Sequence, residues 1–241
     1  MESLAQELID AIIDCLQHWD LRFSSLIARR WRRRSQQCAF AHVSFGRERR
    51  VVLWYTNIPQ DPDGIPSYVQ TTSFFKIEWQ NPALFGLVVK SFSNLKSLSV
   101  TDTSIQEPRR PYRSVPFGEF SSQIAYLALH MVTCSTTTMI SLIFSLPNLQ
   151  DLSLMKMEIE EDEGAIPPDK LQSKVLQFLE LQDVGASVVT VLTRYSLVFR
   201  ELSMSGLSEI DMVRLLAPSS QILLFLELKG VYSARVFPLA G

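Results

Sequence analysis

Between Leu95 and Leu228 the chain returns six times to one short pattern, apolar-x-x-apolar-x-apolar. The matches are Leu95-Leu98-Val100, Ile124-Leu127-Leu129, Leu149-Leu152-Leu154, Leu176-Leu179-Leu181, Phe199-Leu202-Met204 and Leu223-Leu226-Leu228. The middle positions are 29 (98 to 127), 25 (127 to 152), 27 (152 to 179), 23 (179 to 202) and 24 (202 to 226) residues apart. Two apolar residues separated by one lie on the same side of a strand. A short strand recurring at such a period implies supersecondary units, none of which buries its apolar face alone, so that neighbours must stack. The stretches 82–92, 137–146, 186–195 and 208–216 have helical patterning and fall between the strands, where return helices belong. The competing arrangement is a globular α/β fold in which such segments arise by chance.

The pattern and its spacing resemble leucine-rich repeats. The resemblance implies an α/β body, a curved solenoid of parallel strands and return helices. Such repeats usually carry Asn or Cys three residues past the last apolar position. Here those positions are Thr103, Val132, Met157, Val184, Leu207 and Val231, an apolar ladder, so loop carbonyls must find other partners. Phe75, 23 residues before Leu98, reads as a weaker earlier repeat. Val51-Val52-Leu53-Trp54 and 72–79 read as strands, and Asp61-Pro62-Asp63-Gly64 as a turn. Two insertions interrupt the body. Residues 106–120 hold Pro108, Pro111 and Pro116 with Arg109, Arg110 and Arg113, and 158–174 hold Glu158, Glu160, Glu161, Asp162 and Glu163, then Pro167-Pro168. No amphipathic helix follows the last strand in 231–241, so the terminal strand is expected to leave an open edge, through a missing downstream segment or self-association.

The first forty-five residues differ from the body. With 4–17 taken as a helix starting at Ser3, with Gln6 as its capping-box partner, Glu7, Asp10, Asp14 and Gln17 form one stripe. The apolar remainder covers about 200°, against the roughly 100° that a surface helix needs. A second helix opens at Asp20-Leu21, and an Arg-rich third follows around Trp31. Some forty residues bury too little to cover such an arc, so one side awaits another chain or the C-terminal body. The residues Leu4-Ala5-Gln6-Glu7-Leu8-Ile9, Ile12-Ile13, Leu16 and Ser25-Leu26-Ile27-Ala28-Arg29-Arg30-Trp31 resemble an F-box. The segment 40–45 is similar to the tail that follows one. The departures are Ala5, where the family has proline, and the short His18-Trp19 connection. The resemblance implies docking on the Skp adaptor, and through it on a cullin, by Leu4, Leu8, Ile9, Ile12, Ile13, Leu16, Leu26, Ile27 and Trp31. It divides the chain into a helical domain, 1–45, and a repeat domain, 46–241, with its clearest repeats at 95–231.

The chain has 241 residues, 46% of them hydrophobic and 20% charged, and a formal net charge of -2. That balance excludes a general polyanion binder and a disordered tail. The run Arg29, Arg30, Arg32, Arg33, Arg34 reads as a solvated helix face with Trp31 turned inward, with nuclear import as the alternative. Nucleic acid is not an expected partner. Cys15, Cys38 and Cys134 show neither a disulfide framework nor a metal pair, which fits a reducing compartment. The acidic start lacks a secretory leader, and the seven-residue apolar run 83–89 is far below the roughly 20 that span a bilayer. The expected location is intracellular, cytoplasmic or nuclear. No nucleophile elbow, HExxH pair, phosphate loop or calcium loop is present. Cys134 lies four residues after His130, yet such a lone pair is ordinarily structural. Neither catalysis nor a cofactor is expected.

Both resemblances converge on a substrate-recognition subunit of an SCF-type E3 ubiquitin ligase. The alternative is a leucine-rich-repeat scaffold with no ligase role, its helical start serving as the N-terminal cap. The surface expected to choose a protein substrate is the concave face of the strands. It carries Tyr126, His130, Asp151, Phe178, Glu180, Glu201, Phe225 and Glu227, aromatic anchors among carboxylates that suit a neutral or basic segment.

Overall fold

A computed structural model describes residues 5–27, 29–61, 63–77, 82–105, 123–160 and 174–229. Three helices, α1 (Gln6–Asp14), α2 (His18–Ile27) and α3 (Arg29–Phe40), lead into an α/β body. The body runs β1 (His42–Phe45), α4 (Glu48–Asn57), β2 (Thr71–Phe75), α5 (Pro82–Ser91), β3 (Ser97–Ile105) and β4 (Tyr126–Ser135). It continues with α6 (Thr136–Phe144), β5 (Asp151–Met155), β6 (Glu158–Glu160), β7 (Val175–Gln182), α7 (Ala186–Arg194), β8 (Val198–Ser205), α8 (Glu209–Leu216) and β9 (Phe225–Leu228). The strands form one parallel sheet in the order β1-β2-β3-β4-β5-β7-β8-β9, with β6 on the far half of β4. The four stretches read as return helices are α5, α6, α7 and α8. Insertion 106–120 and terminus 231–241 lie outside the described residues. Of 158–174, only β6 and Lys174 lie within them.

The register reproduces the sequence pattern rung by rung. Leu98 pairs with Leu127, Leu127 with Leu152, Leu152 with Leu179, Leu179 with Leu202 and Leu202 with Leu226. All but the last of these leucines are at most 1% exposed, and the helices cover them in one continuous core. The backbone repeats with the same regularity. Ala41, Gln70, Lys96, Ala125 and Gln150 each offer one carbonyl to two successive amides of the next strand's entrance. At the other end Lys76, Asp102, Met131, Lys156, Asp183 and Gly206 stand at equivalent positions, all with φ between 49° and 72°.

That left-handed ladder explains the apolar positions where Asn or Cys was expected. In four of the units the next residue, Ile77, Val132, Met157 or Val184, turns into the core, and in a fifth Leu207 packs at its margin. A non-glycine residue there costs about 1–2 kcal/mol, while burying the following Val, Ile or Met contributes about 1.5–3 kcal/mol. Burial wins, so lysine, aspartate and methionine are tolerated. Gly206 is the exception with a steric reason, since an added Cβ would lie 2.3 Å from Asp183 Oδ1.

The first two rungs correct the sequence reading. Thr72, not Phe75, pairs with Leu98, and Phe74 pairs with Val100. The unit is Val69-Thr72-Phe74, with threonine in the leucine's place. Phe75 points out over Gly46, where a Cβ would come within 2.6 Å of its ring. The segment 42–45, assigned above to the helical domain, is the first strand of the sheet, pairing Val43 with Thr72. Val51-Val52-Leu53-Trp54, read as a strand, lies within α4. Only its Val51 and Trp54 sides turn inward, Val51 fully buried and Trp54 packed at the edge of the core, a helical i, i+3 relation that outweighs β propensity. Trp54 meets Phe40, Phe45 and Phe92 edge-on at 5.7–6.0 Å, and Phe45 stacks on Phe74 at 5.2 Å. This aromatic plug closes the first end of the core.

The helices α1 to α3 have a separate small core of Ile9, Ile13 and Leu21, with Leu16, Trp31, Cys38 and Ala39 packed around it. Helix α1 begins at Gln6 with Ala5 as a cap that makes no side-chain bond. The expected start at Ser3 lies outside the described residues. The polar stripe of α1 faces α3: Arg34 donates to both Asp14 oxygens at 2.7 and 2.6 Å, and Arg30 to Gln6 Oε1 at 3.3 Å. Arg34 holds the Asp14 carboxyl below its ordinary pKa. Between α2 and α3, Ser24 and Ser35 share a buried bond of 2.8 Å.

Two measurements check this account. Thr72 Oγ1 is buried without a partner, so Thr72→Val should stabilise the protein by about 1 kcal/mol, or roughly 2–4 °C in Tm for a chain of this size. Half-buried Lys174 donates to the Ile143 carbonyl at 2.9 Å and to that of Leu146, just past α6. Burial lowers its pKa from 10.5 to about 8. The unfolded chain therefore binds more protons between those values, and stability contributed by this group rises with pH through that window. The difference in Tm between the native chain and Lys174→Met should shift in favour of the native chain from pH 7.5 to 10.

Candidate interaction surfaces

The small core of the N-terminal helices uses few of their large apolar side chains. Leu8, Ile12, Trp19, Phe23, Leu26 and Ile27 are 42–75% exposed, clustered on α1 and α2. Helix α1 explains this directly. Asp10 and Asp14, with Gln6, turn toward or beside α3, Ile9 and Ile13 fill the seam, and the rest of the wide apolar arc is left facing out. Large exposed apolar patches of this kind mark interaction sites.

The residues expected to dock thus divide. Leu8, Ile12, Leu26 and Ile27 are exposed, whereas Ile9 and Ile13 are 3% and 0% exposed and form the unit's own core. Leu16 and Trp31 pack against that core, and Leu4 lies outside the described residues. Trp19 and Phe23 belong to the exposed patch and were absent from the expected set. Their signal is a pair of aromatics four residues apart, hence on one helix face, in a helix that buries Leu21 and Ser24 on another. The arginine run is a largely solvated face, with Arg30 and Arg34 tied to α1 and Trp31 turned inward.

The second surface is the side of the sheet opposite the helices. Register places Tyr126, Asp151, Phe178, Glu201 and Phe225 side by side on successive strands. The next row reads Ala128, Ser153, Glu180, Ser203 and Glu227. Ser153 and Ser203 donate to Glu180 and Glu227, each at 2.9 Å. Lys229 Nζ lies 3.2 Å from Glu180 and 3.6 Å from Glu227, which raises the lysine's pKa. Burial, with Glu201 as a second cause, raises the Asp151 pKa. Burial also raises that of Tyr126. All eight residues of the expected substrate face lie here, His130 included, beside Met155.

His130 and Cys134 do not form a pair. His130 is on the open face, while Cys134 is buried in the core on the far half of β4. Among the described residues no group of His, Cys, Asp or Glu is placed to hold a metal ion, and no helix is long and apolar enough to cross a membrane. A cleft of about 1120 Å³ lies where α3 meets the entrances of β2, β3 and β4. Arg33, Arg34, Lys96 and Asp63 line it, among serine, glutamine and asparagine side chains.

The division between core and exposed patch has a direct test. Ile13→Ala should destabilise the helical unit by about 2–5 kcal/mol, whereas Leu26→Ser should change stability by no more than about 0.5 kcal/mol. Denaturant unfolding followed by Trp fluorescence measures both. Compared with models of protein families and with curated proteins, the chain matches none.

Proposed function

We propose that this chain is the substrate-recognition subunit of an SCF-type E3 ubiquitin ligase. Its N-terminal helices dock on the Skp adaptor, and its repeat body, a curved leucine-rich-repeat solenoid, holds a protein substrate. The supporting observation is the apolar patch of Leu8, Ile12, Trp19, Phe23, Leu26 and Ile27. It sits on a three-helix unit whose sequence resembles an F-box, and buried apolar anchors of this type dominate protein interfaces.

In this reading the mechanism is positioning. The chain bonds nothing and breaks nothing. It raises the effective concentration of a bound substrate near a transferase carried by the cullin, and it needs no cofactor. Residence is intracellular, where such ligases work.

The alternative, a repeat scaffold whose helical start serves as the N-terminal cap, is less well supported. The first end of the main core is closed by α4 and the aromatic plug of Phe40, Phe45, Trp54 and Phe74. Ile9, Ile13 and Leu21 form a separate cluster, so α1 and α2 are not required as that cap.

Co-purification tests the proposal. Leu8→Asp and Ile12→Asp each place a charge in the patch and should abolish capture of the Skp adaptor while the far-ultraviolet spectrum and Tm of the body stay unchanged. Undiminished capture by both variants would overturn the reading.

A further inference from the structure

The row Tyr126, Asp151, Phe178, Glu201, Phe225 alternates aromatic and acidic side chains across five neighbouring strands. Parallel strands lie about 4.8 Å apart, so the rings recur at about 9.6 Å and the two carboxylates are also about 9.6 Å apart. In the adjacent row both carboxylates already have partners: Ser153, Ser203 and Lys229 engage Glu180 and Glu227. No ion pair or hydrogen bond to a described residue engages Asp151 or Glu201, which flank the Phe178 ring. An aromatic side chain on each side of an unpaired carboxylate offers a cation both charge and a ring quadrupole.

The spacing selects the backbone that can deliver two cations. A β-extended segment presents same-side residues about 6.8 Å or 13.6 Å apart, and an α-helix about 6 Å apart at i, i+4 or about 10.5 Å apart at i, i+7. A polyproline II segment has three residues per turn at a rise of about 3.1 Å, and so presents one side chain every 9.3 Å. Aromatic-lined grooves receive this conformation in other recognition systems because it is already ordered. We infer that the ridge Tyr126–Asp151–Phe178–Glu201–Phe225 binds a proline-containing polyproline II segment with Lys or Arg at positions i and i+3, the cations seating on Asp151 and Glu201. This rests on reading the open face as the substrate surface and does not depend on adaptor docking.

The probe is a fluorescein-labelled peptide with two arginines three apart in a proline-rich frame, titrated by anisotropy against the whole chain. Control peptides place the arginines two or four apart, or replace them with glutamate. The i, i+3 peptide should bind at least about tenfold more tightly than any control, and its affinity should fall with added salt. The double variant Asp151→Asn with Glu201→Gln should weaken it about tenfold, and Phe178→Ala should do likewise. Arg33→Gln, in the cleft beside α3, should leave it unchanged. Equal binding of the two-apart or four-apart peptide, loss of binding only in the cleft variant, or no binding at all would overturn the inference. Adaptor capture is read separately, so a negative result here leaves the docking proposal standing and the reverse also holds.

Discussion

A parallel strand cannot pair with its neighbour through a tight turn. The chain must leave the sheet, cross one face and re-enter in register. In this protein everything depends on that re-entry being the same each time. Five carbonyls, from Ala41 to Gln150, each fix the entrance of the following strand by accepting two successive amides, and six left-handed residues, from Lys76 to Gly206, fix its exit. Between them the inward positions, Thr72 to Leu226 and Phe74 to Leu228, are stacked in two apolar columns. A slip by one residue would put every such column on the wrong face, so the leucines hold the register and the register holds the core. The same alternation sends the remaining strand residues outward in equally regular rows. The open face of the sheet is thus the other side of the packing constraint.

The body was legible from sequence where leucine occupied the inward positions. All five steps from Leu98 to Leu226 became strand pairs, and four helices fell where the pattern left room. It was illegible where another residue met the same requirement. Thr72 is buried in a leucine's place, so the hydrophobic template passed over Val69-Thr72-Phe74 and took Phe75, which points outward. Phe40-Val43-Phe45 fits the template too, yet the likeness of 40–45 to an F-box tail drew it into the helical domain. Val51 and Val52 favour a strand locally, but the Trp54 plug needs an i, i+3 face. The left-handed positions carry Lys, Asp and Met, residues that announce no such conformation. Their cost is offset by burial of the next residue, which is a tertiary effect.

The helical unit shows the same division. An apolar arc wider than one interface was evident in the spacing of Leu8, Ile9, Ile12 and Ile13. Which half would be buried was not, because that depends on where α3 lies: Trp31, Cys38 and Ala39 of α3 pack on Ile9, Ile13 and Leu21, Ser35 bonds Ser24, and Arg34 and Arg30 reach Asp14 and Gln6 at the exposed margin. With the polar stripe turned toward α3, Ile9 and Ile13 fall inside and Leu8 and Ile12 fall outside. Trp19 and Phe23 join the exposed side because α2 spends Leu21 and Ser24 on its contacts. The two surfaces so produced are chemically unlike: an apolar patch suited to stable docking, and an aromatic and acidic face suited to selective, reversible capture.

The central claim is that one chain keeps these two surfaces for two different partners. Hydrogen exchange of the intact chain, alone and with purified Skp adaptor, tests it most directly. The account predicts that the adaptor slows exchange in α1 and α2, residues 6–27, and leaves β4 to β9 unchanged. Protection centred on the sheet, or none in residues 6–27 at saturating adaptor, would contradict it.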